Sequence, residues 1–223
     1  MIKNFLRILV LACFPFLSAN AEVISIGLTG TAGMLDAKGT ETFNGGTTSK
    51  SEDLFIGYAS GFAELHGPAG LRLGASYVPY KLDSETAEQI HGSMTEDQGG
   101  TGITDTQKIK VSIEDLASLY LSFHMDVQGY ADFFVKGGFM QGDLITNENL
   151  GTGSSYGNTT LEGTFFGAGI DKSLDNGIFI RGEVVATDFD DIKLTSTGSD
   201  NTNTIEVTGL SGTNVSLSVG KSF

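Results

Sequence analysis

Apolar residues alternate with small or polar residues over most of the chain after residue 22. In the first such segment, Ile24, Ile26 and Leu28 share one face, and Ser25 and Gly27 share the other. A period of two is typical of β-strands that turn one apolar face toward an apolar environment. No helical period competes with it over a comparable length. We count eight segments of this kind, at residues 23–34, 53–65, 71–77, 109–123, 132–139, 165–171, 178–187 and 215–223.

Short and long connections alternate between these segments. The short ones are residues 66–70, 126–129 and 175–177, and the long, polar ones are residues 36–52, 83–107, 146–159 and 190–208. An even number of strands with this alternation is typical of a barrel in an outer membrane, with short turns on the periplasmic side. A barrel also leaves no unpaired strand edge in lipid. We therefore predict an all-β fold, a closed eight-stranded antiparallel up-and-down transmembrane β-barrel with long extracellular loops and short periplasmic turns.

The first residues have the features of a secretory signal. Lys3 and Arg7 give a positive start, residues 8–17 are almost wholly apolar, and Ala19 and Ala21 form a small-x-small cleavage pattern. The apolar run is too short to span a bilayer as a helix. We predict that residues 1–21 are a cleaved signal peptide and that residues 22–223 form one outer-membrane β-barrel domain.

Composition narrows the possible functions further. The 223 residues carry 13 basic and 27 acidic side chains, a net charge of −14 that becomes −16 once Lys3 and Arg7 are removed. This acidic excess argues against a nucleic-acid partner. The single cysteine, Cys13, lies in the signal, so the fold has no internal disulfide. The 31 glycines are abundant, and we predict that five of them lie on the crowded inner face, at Gly27, Gly74, Gly167, Gly169 and Gly220.

The last strand carries the most specific signal. Val215, Leu217 and Val219 alternate with polar residues and lead to Phe223 at the chain end. In this the chain resembles the small eight-stranded outer-membrane barrels of the OmpA/OmpX type, although Lys221 stands where an aromatic or apolar residue is usual. The resemblance implies that Val215, Leu217, Val219 and Phe223 are read by the barrel-assembly machinery. It also implies a location in the outer membrane of a Gram-negative bacterium, with both termini periplasmic and no appended periplasmic domain.

Charged residues fall on the inner face of the predicted strands. They are Arg72, Lys110, Glu114, Asp132, Lys136, Asp171, Arg181 and Glu183. Charges inside a narrow barrel must be paired or hydrated, and eight strands leave an interior just wide enough for side chains. We predict an ion-pair plug, with a gated small pore as the alternative. Asp115 has lipid-facing parity, which either a position at the outer interface or a β-bulge at Glu114-Asp115 would explain.

The function classes that remain are a structural or envelope-integrity role, a surface-interaction role, a small porin-like channel, and a lipid A-modifying enzyme. The enzyme would depend on His91, with Ser93 and Glu88 nearby in an outer loop; we expect no enzymatic activity. A soluble lipocalin-like barrel is a further alternative, but it usually carries a tryptophan that this chain lacks.

The expected partners follow from the predicted location. They are outer-membrane lipid, lipopolysaccharide bridged by divalent cations to acidic loops, and an extracellular ligand of the loops. Residues 192–197 and 203–208 alternate and could pair as a hairpin above the membrane. No spacing resembles an EF-hand loop, and we assign no metal site and no cofactor.

Overall fold

The computed structural model describes residues 23–43, 46–83, 87–91, 105–149, 155–197 and 204–223. The predicted signal peptide and its cleavage residues Ala19 and Ala21 lie outside these ranges. The described residues form twelve strands and one 3₁₀ turn, at Pro68–Gly70. The strands are β1 (Ile24–Phe43), β2 (Gly46–His66), β3 (Leu71–Tyr77), β4 (Leu82–Asp83), β5 (Ala87–His91), β6 (Asp105–Val127), β7 (Ala131–Asn149), β8 (Ser155–Tyr156), β9 (Thr159–Ser173), β10 (Ile178–Phe189), β11 (Ile192–Thr197) and β12 (Thr204–Ser222).

Eight of these strands form a ring in which each pairs with its neighbours in chain order. The order is β1-β2-β3-β6-β7-β9-β10-β12, every pair is antiparallel, and β12 pairs with β1. The short strands β4 and β5 pair with β6 and continue the position of β3. The predicted eight-stranded antiparallel up-and-down architecture is therefore confirmed.

Both described chain ends lie at the end of the ring that carries the short connections. The Val23 amide donates to the Phe223 carbonyl oxygen at 2.7 Å. The turns at this end use left-handed backbone at Gly70, Gly129 and Gly177, where glycine carries no Cβ penalty. The predicted tight turn at Asn176-Gly177 is one of them.

The outward face of the ring is apolar, whereas the inward face carries polar and charged side chains together with several aromatic rings. Leu28, Phe139 and Leu217 are each about 70% exposed, whereas Ser25, Ser122 and Asp171 are buried. Outward-facing apolar side chains that alternate with polar inward ones form the lipid-facing belt of a membrane barrel. A soluble lipocalin-like barrel requires the opposite orientation, so the structure contradicts that alternative.

All four long connections contain strand among their described residues. Strands β1 and β2 continue to Phe43 and Gly46, so the prediction of a loop over residues 36–52 is wrong. Polar residues on both faces conceal a strand from pattern reading, because no apolar face marks it. Pairing between Ile192 and Val207 and between Thr195 and Thr204 confirms the predicted hairpin, formed by β11 and the start of β12.

This outer extension has a small apolar core of its own. Leu144, Leu161 and Ile192 are buried together, and further apolar side chains pack against them, at Val111, Ile113, Phe189, Leu194, Val207 and Leu210. A buried cluster of this size stabilises paired strands outside the lipid. In the residues that the structure describes, the extension is thus a folded rim with a core of its own.

Asp115 occupies a β-bulge in β6. Its φ is +53°, and the register with β7 shifts between Glu114 and Ala117. The Tyr77 hydroxyl donates to Asp115 Oδ1 at 2.6 Å. The bulge explanation for a carboxylate at a lipid-facing position is confirmed.

In the outer half of the ring, strands β2 and β3 do not pair with each other. The ladder between β2 and β3 ends at Tyr77, and Pro79, which has no amide hydrogen, follows shortly after. Among the described residues, 53–60 of β2 pair in strand ladders with β1 alone. The Ala59 amide instead donates to the Tyr80 hydroxyl. The result is a β2–β3 gap along residues 53–60 of β2.

Candidate functional site

A buried ion-pair cluster centred on Arg181 lies in the periplasmic half of the interior. Arg181 donates from Nη1 to Glu64 Oε1 at 2.6 Å and from Nη2 to Glu64 Oε2 at 2.9 Å. Its Nη2 also donates to Asp171 Oδ2 at 3.2 Å. All three side chains are almost completely buried. Two parallel charge-assisted hydrogen bonds fix the guanidinium to Glu64 with strict geometry.

Aromatic rings surround the same guanidinium. Its carbon lies 4.9 Å from the ring centre of Phe134, 5.2 Å from Phe179 and 5.6 Å from Phe62. These distances fall within the range of cation–π attraction. The rings also occupy the space beside the charges, so this layer of the barrel is filled by side chains.

Arg72 is the second cation of the cluster. Its Nη1 lies 3.3 Å from Asp171 Oδ2 and 3.5 Å from Glu64 Oε2, and its Nη2 lies 3.8 Å from Asp132 Oδ2. The Tyr120 hydroxyl donates to Glu64 Oε1 at 2.9 Å. Glu64 thus contacts two guanidinium groups and one hydroxyl in the buried interior.

A second ion pair lies one layer further toward the extracellular side. Lys136 Nζ is 2.7 Å from the Glu183 carboxylate. It also lies 5.1 Å from the ring centre of Tyr120 and 5.6 Å from that of Phe165. The two layers together place three cations and four carboxylates across the lumen.

The structure brings six of the eight predicted interior residues together. They are Arg72, Asp132, Lys136, Asp171, Arg181 and Glu183. Glu114 is not among them: it contacts Lys81 at 3.3 Å and is partly exposed near the outer end, so this part of the prediction is wrong. The bulge at Asp115 changes the parity of β6 at that point. Lys110 lies in β6 opposite Asn147, and its side chain is outside the described residues.

Sequence reasoning missed Glu64 and His124. Glu64 lies in a segment whose two faces could not be ranked, because Tyr58 and Phe62 lie on one face and small residues lie on the other. Glu64 lies on the same face of the strand as Ser60 and Phe62, and this shared face was the signal that it points inward. His124 lies near the periplasmic end of β6, where the strand pattern indicates no role for it; its side chain is buried beside Asp171, with Nδ1 3.4 Å from Asp171 Oδ2.

Inward glycines lie directly opposite inward aromatic rings. Gly74 pairs with Tyr120, and a Cβ on Gly74 would lie 2.3 Å from that ring. The same arrangement recurs at Gly27 with Phe62, Gly169 with Phe134 and Gly220 with Phe179. The predicted crowding of the inner face around glycine is confirmed, and the missing side chains provide the space for the rings that enclose Arg181 and Lys136.

Replacing Gly74 by alanine should destabilise the barrel by about 1–3 kcal/mol, the usual cost of overpacking. The new Cβ forces the Tyr120 ring away from its position and weakens its hydrogen bond to Glu64. Urea unfolding in detergent micelles measures the change. Gly30→Ala is the matched control, because no atom lies within 4 Å of a Cβ there. Equal costs for the two variants would contradict the role of Gly74.

The residues of the predicted assembly signal all face outward. Val215, Leu217, Val219 and Phe223 are between 57% and 68% exposed. The Lys221 ammonium lies 5.3 Å from the Phe223 ring centre. Their exposure leaves them accessible on the outer surface of β12, and recognition by the assembly machinery stays a prediction.

Comparison with known proteins gives a match of fold. No family model and no curated protein matches the chain. The outer membrane protein OprG from Pseudomonas aeruginosa superposes with a TM-score of 0.60 at 12% identity, covering 90% of this chain and 96% of OprG. The chain has the fold of a small outer-membrane β-barrel. Neisserial surface protein A (TM-score 0.41, 9% identity, 89% and 97% covered) and AlkL (TM-score 0.43, 13% identity, 94% and 95% covered) are also similar.

The outer-membrane barrel fold and the outward apolar belt both indicate a protein that spans a membrane with its strands. Among the described residues, no helix is long and apolar enough to cross a membrane. The spanning elements are the strands, whose ladders pair backbone polar groups without water except along the β2–β3 gap. The fold and the outward apolar belt are those of an integral outer-membrane β-barrel.

Proposed function

We propose that this outer-membrane barrel is a plugged, non-porin protein with a structural or surface-interaction role in the cell envelope. The observation that carries the proposal is the Arg181 cluster, in which buried ion pairs and aromatic rings occupy the lumen. An axial water path would have to displace groups held by charge-assisted hydrogen bonds. Because the Arg181 cluster occupies the lumen, it favours this role over a porin-like channel.

Reconstituted wild-type protein should show at most small, rare conductance steps in planar lipid bilayers. The Glu64→Ala/Arg181→Ala variant should give more frequent and larger steps, because it removes the central pair of the plug. Heat-dependent migration on a gel shows whether the variant has folded. Lys193→Ala, an exposed rim substitution, serves as the control. Large, steady currents from the wild-type protein would overturn the proposal.

The folded rim is the part of the molecule suited to contact other partners. It includes the β11–β12 hairpin, and Asp190, Asp191 and Glu206 lie on or beside it. Carboxylates of this kind can bridge through divalent cations to anionic lipopolysaccharide. We include lipopolysaccharide, an extracellular ligand and the barrel-assembly machinery among the proposed partners.

The β2–β3 gap favours a second candidate function, the passage of small molecules sideways between the interior and the membrane. A cavity of about 70 Å³ above the plug is bordered at the gap by Tyr58, Ser60 and Val78. A sideways path avoids the Arg181 cluster and carries no ion current along the barrel axis. The conductance experiment therefore distinguishes it from an axial pore.

We propose no enzymatic activity for the protein. His91, the candidate catalytic residue, lies in β5, and its side chain is outside the described residues. His66 and His124 lie at the opposite, periplasmic end of their strands. Support for this proposal comes from the distance along the barrel between these two histidines and the outer rim.

A further inference from the structure

Three side chains that can bind a metal converge at the periplasmic end of the interior. His124, Asp132 and Asp171 each offer a donor atom, and these atoms lie within 4.8 Å of one another. They come from β6, β7 and β9, and Asp132 is the register partner of Asp171. In the sequence the first two are 8 residues apart and Asp171 is 39 residues further on, so no short metal-binding motif contains them.

Two donor atoms of this group have no hydrogen-bond partner among the described residues. They are His124 Nδ1 and Asp171 Oδ1, on side chains that are 3% and 1% exposed; Nδ1 lies 3.4 Å from Asp171 Oδ2 without forming a hydrogen bond to it. Arg72 and Arg181 both bind the other oxygen, Oδ2, of Asp171. Buried polar atoms in folded proteins almost always have a partner. These two atoms therefore indicate a place for a further ligand.

The His124 ring is held in the orientation that a metal ligand needs. Its Nε2 lies 3.1 Å from Ser122 Oγ, and the ring stacks on Phe134 with centres 4.9 Å apart. With the proton on Nε2 donated to Ser122, Nδ1 carries a free lone pair. A hydrogen bond from the second ring nitrogen is the usual way that a protein fixes a ligating histidine.

The charge of the interior also favours an added cation. The carboxylates of Glu64, Asp132, Asp171 and Glu183 outnumber the cations Arg72, Lys136 and Arg181 by one. Asp132 is partly exposed at the periplasmic end and gives a path for entry. A divalent ion there would replace the excess negative charge with positive charge.

We propose that His124 Nδ1, Asp171 Oδ1 and Asp132 bind a divalent transition metal of the zinc class. One imidazole nitrogen and two carboxylate oxygens suit Zn²⁺, with water from the periplasmic side as the fourth ligand. Asp132, the partly exposed member, moves toward the ion and shares its carboxylate with Arg72. The metal-binding proposal does not rest on the proposed plug function, although Asp132 and Asp171 belong to both groups.

The test is zinc titration of the refolded, metal-free barrel in detergent, with a competing chelator. All samples carry His91→Ala, so that the histidine of the outer segment makes no contribution. We expect one Zn²⁺ per chain, and a loss of affinity of at least about 100-fold in His124→Gln and about 10-fold in Ser122→Ala, which removes the partner of Nε2. Visible absorption of Co²⁺ in place of Zn²⁺ should change when His124 is replaced.

His66→Gln is the matched control, because His66 is a second histidine at the same end whose Nε2 contacts Ser25. It should leave zinc affinity unchanged. Migration of unheated samples on a gel shows whether His124→Gln has folded. If it has not, Asp132→Asn, at the partly exposed ligand, replaces it as the diagnostic variant. Absence of zinc binding in the His91→Ala protein, or binding that survives both His124→Gln and Asp132→Asn, would overturn the proposal.

Discussion

Replacing Arg181 by methionine should lower the free energy of unfolding by about 3–5 kcal/mol, the cost of breaking a buried ion pair from one side. The substitution leaves Glu64 and Asp171 buried without the guanidinium that binds both. Arg72 remains within 3.5 Å of each, but it cannot replace the two parallel hydrogen bonds. Urea unfolding followed by far-UV circular dichroism measures the change; the chain has no tryptophan for fluorescence.

A double-mutant cycle with Glu64→Gln separates the pair from its surroundings. The double variant should be less destabilised than the sum of the two single variants by about 0.5–3 kcal/mol, because it leaves no unpaired charge on Glu64. Lys193→Met, on the exposed rim, is the control for losing a positive charge. Strict additivity of the two single costs would mean that Glu64 and Arg181 do not act as a unit.

The spanning strands could be predicted from sequence because lipid imposes a regular requirement on them. Each position must suit either hydrocarbon or a narrow polar interior, so parity alone assigns the side that a residue faces. Arg72, Lys136, Asp171 and Arg181 were placed inside on this basis, and the structure brings them together. Parity fails where the backbone leaves the regular ladder, and Glu114 beside the bulge is the example.

The outer rim and the detailed contacts could not be predicted for a different reason. Outside the lipid, the strands have no uniform apolar face, and the small core around Leu161 is assembled from several strands distant in sequence. The metal-binding group is likewise assembled from residues distant in sequence, because the register between β7 and β9 brings Asp132 beside Asp171. Such contacts follow from strand pairing and stagger, which hydrophobic pattern does not specify.

The pairing of inward glycines with aromatic rings could be predicted only in part. Pattern placed Gly74 and Gly169 on the inner face, but it did not indicate that each would lie opposite a ring. The absence of a Cβ at these positions leaves the space that the Tyr120 and Phe134 rings occupy. The rings then pack around the buried cations, so the glycines contribute to the plug without carrying charge.

The lipid-facing belt gives the second large effect. Leu28→Arg should destabilise the barrel in lipid vesicles by about 2–4 kcal/mol, the cost of a cation near the bilayer midplane. Leu28 is 72% exposed and lies near the middle of the outward apolar row of β1, between Ile24 and Met34. Equilibrium unfolding from vesicles measures the effect, with gel migration of unheated samples as a check on folding.

Met34→Arg is the matched variant at the outer end of the same row. Six residues of tilted strand raise it by about 15 Å, which is more than half the height of an apolar belt, so its cost should be no more than about 1 kcal/mol. Equal costs at the two positions would show that the belt is placed at the wrong height. If neither substitution destabilises the protein, the exposed apolar face is not in lipid, and the membrane-spanning interpretation of the ring fails.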